Sequence, residues 1–236
     1  MYTGTLVSGE LKEKALNKLK GNWKITIEAS IIFCLFTGIF LTNITSMYSF
    51  VNNHFRYIGI FNIYKIIFSK FPKWLLVDNP LLLLFFMILE GPFFLGFVKF
   101  SMKIAKKEKA EIKDLFFAFT KFRYFIESFF LYLLITILSI LGTLLFIVPG
   151  IILALRYALA FFVMNDDVEI SATSAMSKSK ELMEGNKGRF FTLVITFIGW
   201  DILSFLTLGL AKFFVAPYFI TTCSEFYQEL INGNRK

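Results

Sequence analysis

The sequence predicts an all-α, polytopic membrane protein with about six transmembrane helices and amphipathic helices at the membrane surface. Two observations carry that fold class. Of 236 residues, 56% are hydrophobic and only 18% charged, against about 45–50% apolar and roughly 25% charged in soluble domains; the mean hydropathy is +0.66. The apolar residues, 32 Phe among them, fall in runs long enough to cross a bilayer, divided by short lysine-rich segments. A net charge of +8 would suggest nucleic acid in a soluble chain. Beside apolar runs, basic residues serve membrane orientation and anionic phospholipid first, so the lipid bilayer is the expected partner and nucleic acid is not.

Residues 1–236 read as a single membrane domain. An amphipathic surface helix is expected over 8–22, where Leu11, Ala15, Leu16 and Leu19 oppose Lys12, Lys14, Lys18 and Lys20. A first span, 24–41, follows Trp23, which is expected at headgroup level. Residues 43–79 mix aromatics and lysines too evenly for a clean span and read as an extracytoplasmic or interfacial insertion. A second span covers 80–98 and a third 124–148, the latter ending in a tight reversal at Val148-Pro149-Gly150. A shorter fourth span covers 151–164, and a second amphipathic surface helix, carrying Lys178 and Lys180, covers 172–186. The fifth and sixth spans cover 190–206 and 210–226. Kinks are expected at Gly91, Pro92, Pro149, Gly150 and Pro217.

Lysine and arginine set the orientation. With the amino terminus inside, 19 basic residues face the cytoplasm and 5 (Arg56, Lys65, Lys70, Lys73 and Lys212) face outward, with Arg156 within a span. Both termini are therefore expected in the cytoplasm of a cell membrane. The segment from Lys14, KALNKLKGNWKITIEASIIF, echoes the segment from Lys178, KSKELMEGNKGRFFTLVITF. Each carries a lysine-bearing helix, then a Gly-Asn pair (Gly21-Asn22, Gly185-Asn186), then a span. Together with Gly91-Pro92 and Ala216-Pro217, each beside aromatics, this suggests an internal duplication around a central hairpin.

Several motifs run in order along nearly the whole chain: LKGNW, GPFFLGF, LFFAF, IVPGII, RYALAFFVM before an acidic patch, SKELMEGNKGRFF, FIGWDIL, LTLGL and APYFITTCSEFYQEL. In this series the chain resembles the bacterial integral membrane proteins grouped as domain of unknown function 975. The resemblance implies a multi-pass membrane protein and no agreed activity. Residues 43–79 look like an elaboration on that family's more compact first loop.

Three charges fall inside the expected spans. At about 1.5 Å per helical residue, Glu90, Arg156 and Asp201 lie roughly 8–15 Å from the outer ends of their spans, in one layer. A charge at mid-bilayer costs about 2.5–3.5 kcal/mol, so an inward-turned cluster with Arg156 between the two carboxylates is expected. Glu28 and Glu127 lie near the inner boundary and read as interfacial.

No catalytic machinery is legible. The lone His54 reads as interfacial, Cys34 and Cys223 lack metal-ligand spacing, and neither an HExxH motif nor a phosphate-binding glycine loop is present. The sequence therefore points to no catalytic residue, metal or cofactor. Its first functional reading is a non-catalytic membrane protein that recognises a membrane protein, a lipid or a membrane-active toxin, in envelope defence or immunity, with homo-oligomers allowed. Its alternative is a small transporter or channel built on the charge layer of Glu90, Arg156 and Asp201.

Overall fold

The computed structural model describes residues 7–38, 80–167, 169–207 and 209–234. The 43–79 insertion and His54 lie outside the described residues. Among those described there are helices and no strand. In chain order they are α1 (Ser8–Leu19), α2 (Trp23–Phe36), α3 (Pro80–Ala105), a 3-10 helix (Ile112–Thr120), α4 (Phe122–Leu145), α5 (Ile147–Tyr157), α6 (Ala160–Asp166), α7 (Ala172–Leu182), α8 (Lys187–Ile195), α9 (Ile198–Leu206) and α10 (Lys212–Asn234).

Four helical stretches are long and apolar enough to cross a membrane: Leu84–Ala105, Phe122–Leu145, Ile147–Asp166 (α5 with α6) and Lys187–Leu206 (α8 with α9). They correspond to the second to fifth expected spans, at shifted ends. The second runs to Ala105, so Lys99 and Lys103 sit on the helix rather than in the basic segment after it. The third and fourth meet at Phe146, not at Val148-Pro149-Gly150. Phe146 alone is extended (φ −160°, ψ 148°), and Pro149 enters the first turn of α5, where its missing N–H goes unused. Pro92 and Pro217 lie inside continuous helices α3 and α10.

Helix α10 explains why a sixth apolar span is absent from these four. It packs on α3, α1 and α2, with Tyr218, Ile220, Cys223, Phe226, Tyr227 and Leu230 buried. A helix surrounded by protein needs no continuous apolar surface, and its second half carries Glu225, Gln228 and Glu229. By contrast, Phe122–Leu145 buries only 17% of its most apolar stretch inside the protein.

Two glycines set the closest approaches. A Cβ on Gly91 would lie 2.5 Å from the Ser128 carbonyl oxygen on α4, and one on Gly96 would lie 2.0 Å from the Leu115 carbonyl oxygen on the 3-10 helix. That 3-10 helix buries Leu115 and Ala118, which its three-residue period places on one edge. Asp114, also buried, accepts from Lys103 Nζ at 2.6 Å and from the Glu111 backbone N–H at 2.9 Å. Half-buried Glu111 is held below the ordinary carboxylate range by Lys113 and then by Lys109.

The amphipathic helices are real, but their apolar stripes face protein. In α1, Leu11, Ala15 and Leu19 are buried against α10 and α3. In α7, Ala172, Ala175, Met176 and Ser179 are buried against α6, α4 and α5. The echo between the two halves is equally concrete. Gly21 and Gly185 both adopt left-handed conformations, φ 84° and 74°. Each following asparagine donates its side-chain amide to the carbonyl four residues back, Asn22 to Lys18 at 3.2 Å and Asn186 to Leu182 at 3.0 Å. The burial pattern repeats across them: Leu11, Ala15, Leu19, Ala29 and Phe33 match Ala175, Ser179, Met183, Leu193 and Phe197, all buried.

Candidate functional site

The helix ends near Ala105, Phe122, Asp166 and Lys187, and the second half of α10, converge on one lysine-rich face. Cross-links among them establish this: Lys106 to Asp166 (3.1 Å), Arg123 to Glu169 (2.7 Å), Arg189 to Glu229 (2.8 Å) and Lys18 to Glu225 (2.5 Å). Lys18 also donates to the Ala105 carbonyl at the end of α3, where a cation meets the negative end of the helix dipole.

A cavity of about 450 Å³ opens in this face, lined by Val163 and Asp166 of α6, Asp167, Lys178, Glu181 and Leu182 at α7, and Tyr227 and Ile231 of α10. The local chain explains its shape. After α6 stops, Asp167 is extended (φ −130°), and Ser171 starts α7 by accepting from the Ser174 N–H at 3.3 Å. Glu127 of α4 accepts from the Ala172 N–H at 2.7 Å, so the carboxylate read as interfacial from sequence anchors the positive end of α7. Arg123 donates to both the side chain and the carbonyl of Glu169, fixing the connection between α6 and α7.

Within the cavity, Asp166 is held at both oxygens, by Lys106 Nζ at 3.1 Å and by the Tyr227 hydroxyl at 2.9 Å. Asp167 faces Lys178 at a looser 3.5 Å, both about half exposed. Glu181 is exposed and has no ion pair among the described residues. The arrangement offers carboxylates, one ammonium and an apolar wall of Val163, Leu182 and Ile231, a lining suited to binding rather than to acid-base chemistry.

The sequence-predicted charges are separated. Glu90 accepts from the Tyr132 hydroxyl at 2.6 Å, across the close contact made by Gly91. Asp201 is 54% exposed and pairs with Lys212 at 2.8 Å. Arg156 pairs with neither; its carbonyl accepts from Ser179 of α7 at 3.0 Å, and its Nε is buried without a hydrogen bond. The expected three-residue cluster is thus corrected. Residue counting gives depth along a helix but not the direction a side chain faces, and these three face different neighbours.

The lysines expected on lipid divide in the same way. Lys18 is spent on Glu225, and Lys12 lies over the Phe197 ring at 5.0 Å. Lys178 meets Asp167 and Lys20 donates to Asn17, while Lys14 and Lys180 project outward. Trp23 lies against Phe214, with ring centroids 6.4 Å apart. Cys34 and Cys223 are free and buried.

Little in the sequence marks the cavity residues as a site. Their one local signal was the acidic patch after RYALAFFVM, while Tyr227 and Ile231 arrive from the far end of the chain.

Comparison with curated proteins and with solved structures finds no match. Residues 143–234, which supply α5 to α10 and with them the whole cavity lining, match the model of the family described as protein of unknown function DUF975, the family that the sequence motifs resemble.

Proposed function

We propose that the protein is a non-catalytic multi-pass membrane protein that recognises another component of its membrane at the lysine-rich face. The observation that carries this reading is the cavity at the end of the Ile147–Asp166 stretch, where charged groups converge beside an apolar wall. Its volume of about 450 Å³ falls within the usual range for small-ligand sites, roughly 300–1,000 Å³.

In this reading α2 and α10 complete six spans, both termini and the cavity face the cytoplasm, and the outward lysines Lys14 and Lys180 meet anionic phospholipid. The matched Gly–Asn junctions support a duplicated unit of surface helix and span on either side of the α4–α5 hairpin. A transport reading has less support, because Glu90 and Asp201 take separate partners and Gly91 and Gly96 close α3 against its neighbours.

The test is a photoreactive amino acid in place of Ile231, irradiated in intact cells. A discrete adduct with a membrane protein or lipid is the expected result. Absence of any adduct, with the variant present at the parent's level in the membrane, would overturn the assignment of the cavity as a recognition site.

A further inference from the structure

The charge balance of the cavity narrows its ligand. Three lining carboxylates, Asp166, Asp167 and Glu181, face one lining ammonium, Lys178. Lys106 reaches Asp166 from outside the lining, which leaves one negative charge in excess, carried by Glu181. An anionic ligand is disfavoured by that excess, and a neutral apolar one would leave the carboxylates with nothing to bind. That balance favours a ligand cation. Among the described residues no group of three His, Cys, Asp or Glu side chains is placed to hold a metal ion, so the cation is organic.

Two further features fix its class. The Lys178–Asp167 contact, at 3.5 Å, is longer than the 2.5–3.1 Å pairs of the same face, and both partners are about half exposed. Lys178 can therefore turn to an anionic group on the same ligand while Asp167 takes the cation. The apolar wall of Val163, Leu182 and Ile231 begins where the membrane-length stretch Ile147–Asp166 ends, the depth at which glycerol backbones and headgroups lie. Quaternary ammonium groups are held by aromatic cages, yet Tyr227 is the one aromatic lining residue and its hydroxyl is engaged on Asp166. Carboxylates instead accept N–H donors, which a primary ammonium carries.

Resting on the recognition reading above, we propose that this cavity binds the headgroup of an ethanolamine phospholipid. The ammonium sits between Asp167 and Glu181, the phosphate meets Lys178, and the glycerol lies along Val163, Leu182 and Ile231.

The experiment uses the full chain in nanodiscs containing equal fractions of dioleoyl phosphatidylethanolamine, phosphatidylcholine and phosphatidylglycerol, with retained lipid counted by native mass spectrometry after release. Phosphatidylethanolamine should be retained about tenfold over either of the others, the factor expected for a single charge-assisted hydrogen bond gained. The double variant D167N/E181Q should lose that preference, K178M should weaken it, and E184Q, which changes an exposed carboxylate outside the cavity lining, should keep it. Equal retention of the three lipids, or an undiminished preference in D167N/E181Q, overturns the proposal. So does free phosphoethanolamine displacing the lipid at comparable concentration, since the apolar wall would then contribute nothing. A protein adduct at position 231 without lipid preference sinks the ligand assignment and leaves the recognition reading standing; the absence of both sinks the two together.

Discussion

Replacing Gly96 with alanine should open the α3 and 3-10 helix interface. The added Cβ would stand 2.0 Å from the Leu115 carbonyl oxygen, 2.5 Å from its carbon and 2.8 Å from its Cα, whereas ordinary contact begins at 3.4 Å. All three obstacles are backbone, so no side chain can swing aside and the two helices must part by about 1.4 Å. Leu115 and Ala118 are fully buried in that interface, and the 2.6 Å Lys103–Asp114 pair spans it. Overpacking a core costs about 1–3 kcal/mol; a backbone clash belongs at the upper end. About 3 kcal/mol corresponds to a fall of roughly 6–12 °C in melting temperature for a chain of this size.

Thermal melting in mild detergent, followed by tryptophan fluorescence, reads the change. Gly188→Ala is the internal comparison, because nothing lies within 4 Å of its added Cβ. That substitution in helix α8 should be neutral or stabilising by up to about 1 kcal/mol. If Gly96→Ala melts with the parent, the close approach of the two helices is not a feature of the folded protein.

Tyr132→Phe should cost about 1–3 kcal/mol by stranding the Glu90 carboxyl, while Glu90→Gln, which keeps an acceptor for Tyr132, should cost less; the reverse ranking in detergent melts would contradict a holding role for this bond. Lys18→Met should cost about 3 kcal/mol by leaving Glu225 buried and unpaired, and Lys18→Met with Glu225→Gln should recover most of it. Failure of the double variant to recover would mean that Lys18 acts through something other than charge. Gly21→Ala and Gly185→Ala should each lose about 1–2 kcal/mol from left-handed strain despite open space around both, and unequal losses would count against the two junctions being equivalent. With Cys34 and Cys223 replaced, a cysteine at position 109 should react with a membrane-impermeant reagent only after cells are opened; labelling of intact cells would reverse the proposed orientation.

What the sequence disclosed depended on whether a property runs along the chain or across it. Apolar runs are one-dimensional, so the stretches now seen at Leu84–Ala105, Phe122–Leu145, Ile147–Asp166 and Lys187–Leu206 can be read from composition, with ends displaced by up to about two helical turns. The Gly-Asn echo was equally local, and both junctions share one geometry. The stripe of Leu11, Ala15 and Leu19 was legible as well, but not what covers it, because lipid tails and a protein core are alike apolar. Glu90 and Asp201 were placed in depth, yet Tyr132 and Lys212 could not be named as partners without the packing. The cavity was hidden for the same reason, since Asp166 and Tyr227 meet only after folding, 61 positions apart.

The burial of α10 bears on how the molecule is assembled. The four stretches long and apolar enough to cross a membrane all precede it in the chain, and α10 relies on surrounding protein for Glu225, Tyr227 and Glu229. Synthesis therefore releases this helix after the helices it packs on. By then α1, tied to the end of α3 through Lys18, already offers that lysine for Glu225, and α6 offers Asp166 for Tyr227. A chain shortened before α10 would leave those groups and the apolar stripe of α1 without cover, and membrane quality control would read such a fragment as unfinished.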